Sequence, residues 1–222
     1  MNKYIIMGAN GSGKGTQATR LCKIYDLIHI SVGDIFRWNI QNHTKMAARV
    51  QRIIASGALV SDDVVEEVVK FRLDQHDWNY GFILDGFPRN RPQAEFFLES
   101  YDIDAVINIE VPDDVVVDRM LSRRLCSKCG LDYNLIFHRP KQEDVCDVCG
   151  GKLISRQDDN PDSIKERLKE YHDKTQPILD LFSRKEMIVQ ADGTQPPDQV
   201  QAQICGALDK AHAGKLGSSR SA

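Results

Sequence analysis

The sequence predicts an α/β protein: a doubly wound, five-stranded parallel sheet organised around a phosphate-binding turn. Three observations carry this. Tyr4-Ile5-Ile6-Met7 is a short, uncharged apolar run of the kind buried on both faces of a parallel sheet. It leads into a glycine-rich turn, Gly8-Ala9-Asn10-Gly11-Ser12-Gly13, and then into a helical segment opened by Lys14-Gly15-Thr16. Further short apolar runs then alternate with helical patterns to the end of the chain, the rhythm of parallel strands joined by crossovers.

The elements follow in order. Leu21 and Ile24 give the first helix an apolar side, and Ile28-His29-Ile30 reads as the second strand. A helix begins near Asp34, and another spans 45–56 and stops at Gly57. Ser61 is placed to cap the next helix, with Asp62 and Asp63 in its first turn and Val64, Val65, Val68 and Val69 on one side. Gly81–Asp85 is the third strand, Gln93–Leu98 a short helix and Ala105–Ile109 the fourth strand. After Pro112 an amphipathic helix is expected to end near Arg123-Arg124-Leu125. The rhythm breaks over 126–150. Asn160-Pro161 then starts a long helix containing Ile164, Leu168 and Tyr171. Met187-Ile188-Val189 is the fifth strand, and Val200–Leu208 the last helix.

The turn after the first strand carries the chemistry. Glycines let successive N–H groups approach an anion, the helix N-terminus adds partial positive charge, and Lys14 adds a mobile ammonium. Gly8 to Lys14 fits G-x-x-x-x-G-K, but Gly15 follows where a hydroxyl residue is usual, and Thr16 comes one position later.

Composition narrows the partners. With 29 Lys+Arg against 32 Asp+Glu, the net charge of −3 gives no basis for nucleic acid or an anionic membrane as partner. No apolar run approaches a membrane span and no signal-peptide core is evident, so a cytoplasmic protein is expected. No coiled-coil seam stands out, and a monomer is the expectation.

Four of the six cysteines form two C-x-x-C pairs, Cys126/Cys129 and Cys146/Cys149, each followed by glycine. The sixteen residues 130–145 separate the pairs, close to the spacing of a four-cysteine zinc site. Four thiolates leave no open coordination position, so the site is expected to be structural. Zn²⁺ is the expected metal, and Fe²⁺ or Co²⁺ would also accept tetrahedral sulfur.

Five motifs now stand in sequence: Gly8-x-x-Gly11-x-Gly13-Lys14-Gly15-Thr16, Ser31-x-Gly33-Asp34-x-x-Arg37, Asp85-Gly86-Phe87-Pro88-Arg89, Asp118-Arg119-x-x-x-Arg123-Arg124, and Arg156-x-Asp158-Asp159 followed by Arg167. Together they resemble the adenylate kinase family in its long-lid form, over about residues 1–210. The resemblance implies a P-loop core (1–30, 61–125 and 161–213), an inserted AMP-binding segment (31–60) and a metal-binding lid (126–160); the tail (214–222), small and polar, is expected to be disordered. The implied reaction is ATP + AMP ⇌ 2 ADP with Mg²⁺, by direct in-line transfer under a closing, metal-stiffened lid. Physical logic agrees, because phosphoryl transfer needs many cations around the moving oxygens and few protein nucleophiles. Arginine suits such a site because its planar fork binds phosphate at two points and keeps its charge.

By resemblance, Gly11, Ser12, Gly13, Lys14, Gly15 and Thr16 would hold the donor phosphates, with Arg119 across the adenine and Arg123, Tyr133 and Gln195 also on the ATP side. Val32, Arg37, Ala58, Leu59, Val60, Gly86, Arg89 and Gln93 would form the AMP site, Gln93 reading the base edge. Arg123, Arg156 and Arg167 would close on the group in flight, with Arg156 and Arg167 also reaching AMP. Asp85 resembles the acid that positions Mg²⁺ through water, and Asp158 and Asp159 would meet arginines on lid closure. Val32 replaces a threonine common in the family and Asn10 a proline, the first bearing on acceptor-base choice. Two other readings stay open: a sister kinase using another donor or acceptor base, and a zinc-ribbon nucleic-acid-binding ATPase. For the latter, Lys128, His138, Arg139 and Lys141 are offset by Asp132, Glu143, Asp144 and Asp147.

Overall fold

The computed structural model describes residues 2–156, 158–184 and 188–218, with side chains described up to 211. β1 (Lys3–Met7) leads through the glycine turn into α1 (Lys14–Tyr25) and β2 (Leu27–Ser31). Next come α2 (Val32–Gln41), α3 (Lys45–Ser56), α4 (Asp62–Asp74) and β3 (Gly81–Asp85). α5 (Arg91–Ser100), β4 (Ala105–Glu110) and α6 (Asp113–Leu121) complete the first half. β5 (Arg123–Cys126), β6 (Asp132–Asn134) and β7 (Leu153–Ile154) are short. α7 (Pro161–Glu170) runs on through a π-helical turn (Tyr171–Thr175) and a 3₁₀ turn (Gln176–Ile178) into α8 (Leu179–Ser183). β8 (Ile188–Asp192) and α9 (Pro197–Ser218) close the chain.

The main sheet is parallel throughout, in the order β2-β3-β1-β4-β8, so the expected five-stranded sheet is present. Its central strands are buried on both faces, and the period of two sorts their side chains. Ile5, Met7, Phe82, Leu84 and Val106 join the cluster under α4 and α5. Tyr4, Ile6, Ile83, Ala105, Ile107 and Ile109 join the opposite cluster with Ala18 and Leu21 of α1 and Ile204 and Leu208 of α9. The fifth strand begins at Ile188; Met187, read as its first residue, lies outside the described residues.

Local chemistry sets most boundaries. The Thr44 side chain accepts from Ala47 N at the start of α3, and those of Asn90 and Asn160 cap α5 and α7 in the same way. Gly57 ends α3 with φ of 85°, and a Cβ there would stand 2.7 Å from Ser163 O, so only glycine fits between α3 and the start of α7.

Three expectations are corrected. The helix after Pro112 ends at Leu121 and not near Leu125, because Arg123–Cys126 extends to pair with β6 and β7 in a second, antiparallel sheet. Ser61 sits at the N-cap of α4 but makes no cap hydrogen bond, its hydroxyl being taken by the Asp63 carboxylate. The last helix begins at Pro197 and continues to Ser218, into the stretch expected to be disordered. No proline interrupts 198–218, and alanine, lysine and leucine sustain the helix there. Residues 219–222 of the expected tail lie outside the described residues.

Candidate active site

The glycine turn connects β1 to α1 at the carboxyl edge of the sheet, where open α/β sheets place their ligands. Gly8, Gly11 and Gly13 all have positive φ, and a Cβ on Gly8 would stand 2.4 Å from the Ile109 carbonyl oxygen. Lys14 arches back over the loop, its Nζ donating to Gly8 O and Ala9 O at 2.7 Å each. Burial pushes its pKa down to about 8; Asp85 opposes the fall, while the charges of Arg89 and Arg123 add to it. Asp85 ends β3 opposite Ile6 of β1 and lies 3.4 Å from His29 Nε2.

The arginines divide into paired and unpaired groups. Arg123 makes a bidentate contact with the 1%-exposed carboxylate of Asp159, Nε to Oδ2 at 2.7 Å and Nη2 to Oδ1 at 2.5 Å. Arg167 pairs with Asp158 and stands 3.7 Å from Asp159, and Arg37 pairs with Asp34. Arg89 and Arg156 have no carboxylate within ion-pair distance among the described residues. Arg89 is held instead by Nε donating to Gly86 O at 2.9 Å and by Thr175 Oγ1 donating to its carbonyl at 2.7 Å. Burial first, then the charge of Arg167, holds the Arg89 pKa below the usual arginine value. Arg156 is pushed down to about 10 by burial and then by Arg123 and Arg37. Both are buried cations with like charges close by.

One cleft of about 750 Å³ joins these groups. Its walls include Gly11 to Gln17, Arg119, Arg123, Gly193 and Gln195. They also include Val32, Arg37, the stretch Gly57 to Val60, Gly86, Arg89 and Gln93, together with Asp85, Arg156, Asp158 and Arg167. Gln93 is 1% exposed, its Oε1 accepting from Arg89 N and its Nε2 donating to Asp62. Val32 is buried.

The four cysteines meet as their spacing implied. Their Sγ atoms all lie within 4.8 Å of one another, with Cys126–Cys149 at 3.4 Å and Cys129–Cys146 at 3.6 Å. A tetrahedral metal with S bonds of about 2.3 Å needs sulfurs about 3.8 Å apart, so the donor set fits one ion. Gly130 and Gly150 turn the backbone with φ of 75° and 67°. Lys128 N and Cys129 N each donate to Cys126 Sγ at 3.5 Å. Tyr133 Oη donates to Cys146 Sγ at 3.5 Å, which lowers the pKa of that thiol.

Comparison with known proteins places the chain in a family. The family model described as adenylate kinase matches residues 6–187. An adenylate kinase of Lachnospira eligens is 44% identical over 207 residues, covering 91% of this chain and 97% of the relative. One from Caldicellulosiruptor bescii is 43% identical over 211 residues (93% and 98%), and one from Treponema denticola 43% over 198 residues (89% and 95%). The chain belongs to the adenylate kinase family.

Within that adenylate kinase frame, every residue expected at the nucleotide site except Asp159 borders the cleft, and Asp159 lies beneath it as the anchor of Arg123. Two expected residues behave differently from a simple reading. Tyr133 touches the cleft, yet its side chain is 2% exposed and turned into the cysteine cluster, so its hydroxyl serves the lid. Arg119 is tied to Gly193 O at 2.8 Å and lies over the Phe137 ring, 5.1 Å from its centroid. Phe137 is a cleft residue the sequence reading missed; an aromatic in a cysteine-bounded loop carries no signal until Arg119 is seen beside it. Sequence pattern marks His29 only as a strand residue and Asp62 only as a helix-start acid. Their contacts with Asp85 and Gln93 depend on neighbouring strands and helices.

Proposed function

We propose that this adenylate kinase family member moves the γ-phosphoryl group of Mg·ATP directly onto AMP, reversibly, giving two ADP. The observation that carries the reading is the convergence on one cleft of the P-loop with Lys14 and two arginines, Arg89 and Arg156, that have no carboxylate partner among the described residues. In this reading the N–H groups from Gly11 to Thr16 and Lys14 hold the donor's β- and γ-phosphates. Arg37 and Arg89 hold the AMP phosphate, while Arg123, Arg156 and Arg167 stabilise the charge on the phosphoryl group in flight. Arg119 and Phe137 flank the donor base, and Gln93 reads the acceptor base. Asp85 would hold the Mg²⁺ that arrives with ATP, a cation that would offset the charge of the donor phosphates.

The segment 31–60 is the acceptor-binding part and 126–160 the lid, stiffened by one structural Zn²⁺ on Cys126, Cys129, Cys146 and Cys149; Fe²⁺ or Co²⁺ would also suit the four thiolates. Lid closure excludes the water that would otherwise take the phosphoryl group. A cytoplasmic monomer without nucleic-acid or membrane partners completes the reading. The exclusion of nucleic-acid and membrane partners is supported by the net charge of −3 and by the finding that no helix among the described residues is long and apolar enough to cross a membrane.

The test is a coupled assay of ADP formation from Mg·ATP with AMP, GMP, CMP and UMP offered in turn. Strict dependence on AMP is expected, with Val32 costing no base selectivity. ATP hydrolysis without transfer to any monophosphate would overturn the reading. A pH profile adds a second check. A phosphate-holding lysine with a free-enzyme pKa of about 8 should make kcat/KM for Mg·ATP decline as the pH rises through that value. Lys14→Arg, which stays charged, should lose this alkaline limb at a lower plateau. An unchanged limb in the variant would assign it to another group.

A further inference from the structure

The amide of Gln93 is held by two partners that each have one hydrogen-bonding character. Its Oε1 accepts the backbone N–H of Arg89 at 2.8 Å, and its Nε2 donates to Oδ1 of Asp62 at 2.7 Å. A backbone N–H only donates and an ionised carboxylate only accepts. A half-turn of the amide would set N–H against N–H and oxygen against oxygen, so a single orientation survives. Asp62 is itself fixed. It is the first residue of α4, and the same Oδ1 accepts from Asn90 Nδ2 at 2.6 Å. Asn90 in turn caps α5, its Oδ1 accepting from Gln93 N at 3.0 Å.

We propose that Asp62 is a positioning residue that sets acceptor-base selectivity: by locking the Gln93 amide in one orientation, it makes the cleft accept a 6-aminopurine and reject a 6-oxopurine. The proposal rests on the reading that Gln93 faces the acceptor base. Once Asp62 and Arg89 are served, the amide has one N–H and one oxygen lone pair left for a ligand. The 6-aminopurine edge offers an acceptor at N1 beside a donor at N6, which a fixed amide matches in one pose. The 6-oxopurine edge reverses both groups, with a donor at N1 and an acceptor at O6. A freely turning amide would adapt to either edge. The locked one leaves the wrong base with two facing groups of like character, and mispaired buried polar groups discriminate far more strongly than a change of size.

The experiment measures kcat/KM for AMP and IMP, with Mg·ATP as donor, in the wild type, Asp62→Ala, Asp62→Asn and Gln93→Ala. AMP and IMP differ only at the edge in question. In Asp62→Ala the AMP/IMP ratio is expected to fall by about tenfold or more, chiefly because kcat/KM for IMP rises, its KM falling more than its kcat changes. Asp62→Asn keeps an accepting oxygen and should hold the ratio near that of the wild type. A poorly folded fraction lowers both rates equally and leaves the ratio unmoved. An unchanged ratio in Asp62→Ala, with the ratio lost in Gln93→Ala, overturns the role of Asp62 alone. A ratio that survives in Gln93→Ala overturns the base-reading assignment and the proposal with it. Equal loss in Asp62→Asn and Asp62→Ala would show that charge, not the accepting oxygen, is what matters, and would overturn the lock.

Discussion

Arg89→Met is expected to lower kcat/KM for AMP by about 10²–10³-fold, the scale of removing one preorganised charge donor from a transition state. The ligand-free protein should nevertheless melt no lower, and direction matters more here than size. Arg89 sits in a field made positive by Arg167 and Arg37, with Asp85 as partial relief, and burial adds to the cost of its charge. Its guanidinium is anchored to the Gly86 carbonyl rather than to a carboxylate. Removing it therefore takes out a repulsion that the empty site carries and a bound phosphate relieves. Arg89→Lys should recover little, because a point charge cannot reproduce the two-pronged contact of the planar fork. Thermal unfolding with and without nucleotide, beside steady-state kinetics, checks both halves. A clear drop in the melting temperature of the ligand-free variant would make Arg89 a structural residue and sink the argument.

Stripping the metal with a chelator is expected to melt the lid while the sheet stays folded, and to reduce phosphoryl transfer on the order of 10²-fold. The lid cannot hold itself. Its strands are four, three and two residues long, and its buried cluster is Cys126, Tyr133, Cys146 and Leu153, half of it sulfur ligands. A few short strands with so little apolar surface fall below what folds alone, so a metal on the four thiolates would supply the folding free energy. Arg123 opens β5 and Arg156 follows β7, so both arginines lose their setting when this small sheet opens. Limited proteolysis should then cut within 126–155 and spare the core, and added Zn²⁺ should restore resistance and activity together. Unchanged protease resistance and turnover after metal removal would refute the metal's role in the lid. Loss of the whole fold would refute its confinement to the lid.

The parts of this protein that were legible in its sequence are those set by neighbours in the chain. The strand Gly81–Asp85 and the helix Lys45–Ser56 lie where the residue pattern placed them, because apolar periodicity and a glycine stop act within a few residues. The C-x-x-C pairs were legible for the same reason: a metal knuckle is a local turn with its ligands at fixed offsets. Arg123-Arg124-Leu125 carries the local pattern of a helix end but forms a strand. Its strand is created by β6 and β7, which arrive from later in the chain, and Tyr133 was likewise sent to the lid core by Cys146. Such outcomes follow from pairings between distant residues, on which local propensity is silent.

By itself, then, the sequence determined the parallel sheet, the phosphate turn, the supply of cations and the four-thiolate site, because short-range patterning and spacing specify each of them. Only the tertiary structure decided which arginines are neutralised by Asp158 and Asp159, which have no carboxylate partner among the described residues, and which way the Gln93 amide points. Those choices are made by charges and hydrogen-bond partners far apart in the chain, and they exist only once the sheet, α4, α7 and the lid are packed around one cleft.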